Sequence, residues 1–141
     1  MSDSAQLTPY APYLKEVFRY VSAHDETETV IPLSLALSGV ALIISLPDIE
    51  RYNLSISVLE DSALVLDFYR ENGRVFCILR KQYAHIMGML GDEMTEYLLQ
   101  DADFSISKTS THLQELLSCQ LGIFPKKISL SIYPEYNGYA K

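Results

Sequence analysis

Three histidines (His24, His85, His112) and two cysteines (Cys77, Cys119) are the side chains best suited to metal binding or nucleophilic attack, and their spacing suits neither. No HxxxH, CxxC or HExxH pattern occurs, so no single turn or helix brings two of them to one ion. His85 lies inside an amphipathic stretch and His112 in what reads as a first helical turn, where surface and capping roles are common. Serines are numerous, but none stands in a GxSxG context, and neither cysteine carries the local signature of a nucleophile. The six glycines are scattered and form neither GxxxxGK nor GxGxxG, so no phosphate cradle is present. Acid pairs at Glu60/Asp61 and Asp92/Glu93 fall at turns or helix starts, where carboxylates favour the helix dipole or solvate a bend. The expectation is a chain with no catalytic residue, no metal site and no cofactor, whose work is binding.

Charge narrows the partner. Eleven Lys and Arg against 18 Asp and Glu leave a net charge of −7, which repels phosphate and argues against nucleic acid. One basic cluster interrupts the acidity: Arg70, Arg74, Arg80 and Lys81. It reads either as a solvated face or as a docking patch for an acidic protein. Cys77 in RVFCIL and Cys119 in LLSCQL sit in apolar stretches, where a free thiol behaves as a small hydrophobe. The polar start MSDSAQLTP has no basic and apolar export signal, so a cytoplasmic, reducing location is expected. The uncharged run from Val30 to Pro47 is just long enough to span a bilayer. Its period-two alternation, Gly39 and the flanking acids argue against membrane insertion and for two buried strands.

The elements that would position these residues follow from periodicity. A helix is expected from Pro9 or Pro12 to His24, with Tyr10, Leu14, Val17, Phe18 and Val21 on one face and Thr8 as its cap. Strands are expected over Val30–Leu37 and Val40–Leu46, joined at Ser38-Gly39. Asp48–Asn53 reads as a loop or a single helical turn. Further strands are expected at Leu54–Val58 and Ala63–Tyr69, separated by a turn at Glu60–Ser62. Glu71-Asn72-Gly73 signals a hairpin that makes Arg74–Leu79 a strand, although Asn72 could instead cap a helix running to Leu90. Gln82–Leu90 and Asp92–Gln100 read as helices broken at Gly91, with Gly88 permitting close packing. Thr111 to Gln114 has the form of a capping box that opens a leucine-rich helix ending at Gly122. A last strand, Ile128–Ile132, ends at Pro134. The expected fold is α+β in a single domain, 1–141: an N-terminal helix, a mostly antiparallel sheet of about five strands, two to three C-terminal helices and a closing strand. Residues 1–6 and 134–141 are expected to be mobile tails.

The segment ISLPDIERYNLSISV from Ile44, with ALVLDFY after it, then a helix carrying Leu79, Ile86 and Leu90 and a late strand, resembles the C-terminal domain of flagellar hook-length control proteins and their type III secretion needle-length relatives. On that likeness Leu46, Pro47 and Ile49 match the turn motif, and Leu54, Ile56 and Val58 the following strand. The glycine that follows the turn in that family is replaced here by Arg51 and Tyr52. The resemblance implies a non-enzymatic accessory of a bacterial type III secretion apparatus, acting on needle length or substrate specificity through an export-gate component. Two other binding roles fit the size and charge: a secretion chaperone for an effector, and an immunity protein or antitoxin whose acidic face blocks a basic toxin. A homodimer is compatible with each.

The expected binding surface joins the turn at Leu46, Pro47, Ile49 and Tyr52 to the basic residues Arg70, Arg74 and Arg80, since aromatic residues and arginine are favoured interface anchors. The alternative is that Ile49 and Tyr52 simply cap the core beneath the sheet.

Overall fold

The computed structural model describes residues 8–22, 29–70, 73–90 and 92–121. The chain opens with a 3-10 turn, Thr8–Tyr10, and a short helix α1, Ala11–Arg19. Pro12 stands in the first turn of α1, where its missing N–H costs nothing. Tyr10 rather than Thr8 occupies the cap position, and its hydroxyl donates to the Leu46 carbonyl at 2.6 Å. Val17 is buried and Leu14 packs beside it, but Phe18 points outward, at the edge of the expected apolar face. His24 lies outside the described residues.

The uncharged run is a helix, not two strands: α2 spans Leu33–Ser45, with Pro32 at its cap. Period two and period 3.6 compete in this stretch, because Leu35, Ala36, Gly39, Leu42 and Ile43 also fall on one helical face, and those residues are the buried ones. Leucine and alanine favour the helix, and thirteen residues exceed the length of an ordinary strand. Gly39 is no turn. A side chain there would run into the Leu64 side chain, so the missing Cβ lets α2 lie close on the sheet. No helix among the described residues is long and apolar enough to cross a membrane.

Five strands follow in a plain antiparallel meander, ordered as in the sequence: β1 Asn53–Val58, β2 Leu64–Arg70, β3 Gly73–Arg80, β4 Tyr83–Leu90 and β5 Glu93–Gln100. The fork after Tyr69 resolves to the hairpin, with Arg70 paired to Gly73 across a two-residue connection. The two helices expected over 82–100 are instead β4 and β5. Both alternating sets of β4 are apolar: Ala84, Ile86 and Gly88 face inward, Met87 and Met89 outward. That double apolarity hides the period-two signal. In β5, Glu96, Leu98 and Leu99 are good helix formers overridden by the ladder to β4. The leucine-rich helix implied by the family resemblance over Leu79–Leu90 is therefore absent.

A single C-terminal helix, α3, spans Ile106–Leu121. It begins before the supposed capping box: Ser105 is the cap, its Oγ accepting from the Lys108 N–H at 3.0 Å. Thr111 sits inside the helix and donates to the Ser107 carbonyl. Gly122, the closing strand at 128–132 and the C-terminal tail lie outside the described residues, as does the N-terminal tail. The described architecture is α+β in two layers. One sheet face, carrying Ile56, Leu66, Phe68, Val75, Cys77, Leu79 and Ile86, packs against Val17 of α1, Leu42 and Ile43 of α2, and Leu113 and Leu117 of α3. Ser45 and Ser110 hydroxyls meet at 2.6 Å where α2 crosses α3.

Candidate protein-binding surface

The turn expected to bind a partner is folded inward. Leu46, Ile49 and Tyr52 are all buried, with the Tyr52 ring edge-on to Phe68 at 5.7 Å between centroids. Asp48 adopts a left-handed backbone (φ 53°) and starts a 3-10 turn, Ile49–Arg51, that drives Ile49 into the core. Of this turn, Pro47 is left exposed beside the charged Asp48, Glu50 and Arg51. The surface expected at this turn is thus corrected for three of its residues: Leu46, Ile49 and Tyr52 close the core below the sheet, the alternative noted above for Ile49 and Tyr52, and Pro47 stays at the surface.

The basic residues do reach a surface, but not as free charges. Arg74 and Arg80 both lie on the outer face of β3. The Arg74 guanidinium forks onto Asp67, with contacts of 2.8 and 3.3 Å, and lies over the Phe76 ring. This hydrogen bond and the Asp67 charge hold the Arg74 pKa above its ordinary value. Arg80 bonds Asp61 at 3.0 Å and lies over Tyr83. His85 meets Glu96 across the strands at 2.6 Å. Arg74 and Arg80 thus each carry their own carboxylate, so neither stands on this face as an unpaired charge. The Arg70 side chain lies outside the described residues.

What remains between these pairs is apolar. The pairing registers line up Val65, Ile78, His85 and Leu98 in one row, and Asp67, Phe76, Met87 and Glu96 in the next. The third row holds Tyr69, Arg74, Met89 and Met94. Met94 and Leu98 are 56% and 51% exposed, and Tyr69 and Met89 are exposed beside them. On β1 the outward residues Asn53, Ser55 and Ser57 are polar, so the apolar zone covers β2 to β5. An antiparallel sheet with one solvated face ordinarily alternates apolar inside with polar outside. This one departs from that rule over four strands. Methionine is the residue that best adapts to a foreign surface. Sequence reasoning missed Met87, Met89, Met94 and Leu98 because it placed them on helices. The available signal was YAHIMGML, where both alternating sets are apolar.

The other constellations have structural explanations. His112 stacks on Tyr97 at 4.1 Å and sits 3.5 Å from Glu115, whose carboxylate accepts from the Tyr97 hydroxyl. That group pins α3 to β5. Cys77 is a free, fully buried thiol whose pKa burial pushes up to about 12, so it is protonated at neutral pH and a poor nucleophile. Among the described residues no three His, Cys, Asp or Glu side chains converge as metal ligands. Compared with protein-family models, curated proteins and solved structures, the chain matches none of them.

Proposed function

We propose that this chain is a non-catalytic protein-binding module that holds an apolar segment of another protein against the open face of its sheet. The observation that carries the reading is the exposed row pattern of Tyr69, Met89, Met94 and Leu98 around half-buried Phe76, Ile78 and Met87. Apolar side chains held on rigid strands can bury area without ordering a loop, which lowers the cost of binding. The ion pairs of Arg74 and Arg80 and the His85–Glu96 hydrogen bond form a polar rim for orientation. The narrower proposal, from the resemblance of Ile44–Val58, is an accessory of a type III secretion apparatus acting in the bacterial cytoplasm. Its partner would be an export-gate component or a secreted effector. A toxin's basic site is a poorer fit, because the acids on this face are already paired.

The test is capture of partners from the native host by the wild-type chain and by a Met94→Glu/Leu98→Glu variant, read by mass spectrometry. Both positions are exposed, so the melting temperature should stay within a few degrees while partner recovery falls at least tenfold. Equal recovery by both proteins would show that binding uses another surface.

A further inference from the structure

The second open surface is on α2, on the helix layer. A helix without a single charge is normally buried all round. Here Leu33 and Leu37 are 55% and 52% exposed, and Ile44 is exposed as well. With half-buried Val40 they follow the 4-3-4 spacing of a coiled-coil seam, which brings them into one ridge along the outward side of the helix. Beside the ridge runs a line of small residues, Ser34 and Ser38. There the surface sinks into an open cavity of about 380 Å³, floored by Leu35, walled by Phe104 ahead of α3 and bordered on its far side by the charged Asp61, Arg80 and Lys81. Ridge and trough lie side by side on one face.

We propose that this face is a homodimer interface, in which α2 packs antiparallel against α2 of a second copy and the Leu37 ridge of each copy fills the trough of the other. The occupant follows from shape and charge. A two-fold axis across α2 near Leu37 and Ser38 sets each ridge against the partner's trough, which is the self-complementarity an isologous contact requires. Two chains of charge −7 repel wherever their acids approach, and α2 is the one described helix that brings no charge to the contact. The ridge itself offers a charged partner nothing to pair with, and Arg80 at the trough's edge is already held by Asp61. Arg80 borders both the trough and the sheet face, but Met94 and Leu98 do not line the trough, so substitutions there and on α2 test the two contacts apart.

Sedimentation equilibrium on the full chain at ~1 to 100 μM tests this, in the concentration range where ordinary interfaces assemble. The expected mass is about 32 kDa, twice the 16.0 kDa of the chain. Leu37→Glu, which removes the ridge, and Ser38→Trp, which fills the trough from its own side, should each give a monomer. Their circular dichroism should match the parent. Met94→Glu/Leu98→Glu should remain dimeric. A wild-type monomer at every concentration overturns the proposal, and so does a dimer that survives both α2 variants. If one α2 variant fails to fold, the other decides.

Discussion

At the scale of single residues, Cys77 shows how burial fixes chemistry. Its side chain is enclosed between β2 and β4 on the core face, and the thiolate has no compensating partner there. A thiol reagent followed by peptide mapping should leave Cys77 unmodified in the native protein and label it within the unfolding transition. The same burial predicts a loss of stability in alkali. In the unfolded chain the thiol ionises near its ordinary value of 9.0, while in the fold it holds its proton up to about 12. Between those limits the unfolded state binds fewer protons, so raising the pH favours unfolding, by about 1.4 kcal/mol per pH unit from this group. Tyr10 and Tyr52 act with the same sign above pH 10, since burial raises both pKa values. Urea titrations from pH 8 to 11 should show the alkaline decline, and Cys77→Ala should flatten its first part. A flat wild-type profile would contradict the burial of this thiol. The burial of Cys77 was legible from RVFCIL. That of Ile49 and Tyr52 stood as one of two readings, because the sequence pattern does not reveal the left-handed backbone at Asp48 that precedes their inward turn.

At the scale of elements, legibility depended on whether one period dominated. In β1, Leu54, Ile56 and Val58 alternate with Asn53, Ser55 and Ser57, and one face is polar, so the strand was plain. In β4 and α2 both faces are apolar, and periodicity lost its power to discriminate. Each surface proposed for binding includes one of those elements, so apolarity without a polar side both blurred the secondary structure and marked part of the surface. The helical reading of residues 33–45 has its own test. Gly39 faces Leu64 with no room for a side chain. Gly39→Val should cost about 1–3 kcal/mol through overpacking, read as a fall in the urea midpoint. At the tip of a hairpin the same change would bear on backbone strain instead and would leave Leu64 undisturbed. Leu64→Ala should therefore partly rescue Gly39→Val in a double-mutant cycle only if α2 lies on β2.

For the molecule as a whole, the two-layer arrangement leaves both outer surfaces unusually apolar: the sheet on one side and the α2 ridge on the other. The α+β class and the antiparallel sheet were legible from the alternation in β1 and β2 and the hairpin before β3. The helix count was not, because Met87, Met89, Leu98 and Leu99 favour either state alone and only the meander selects one. That meander bears on how the chain reaches its fold. Every strand pairs with its neighbour in sequence, so each ladder closes over a short loop and costs little chain entropy. By contrast, Tyr10 must find Leu46 and Ser45 must find Ser110 across long stretches of chain. Contacts of low sequence separation form early. The hairpins should therefore zip before the helices dock, which leaves for a time a sheet that is apolar on both sides. Such a species offers two sticky faces and two free edges. Refolding from urea should give a yield that falls steeply with protein concentration, and Met94→Glu/Leu98→Glu should raise it at fixed concentration by masking one of those faces. The surface suited to gripping a partner is then also the one most exposed to misassembly while the chain is still folding.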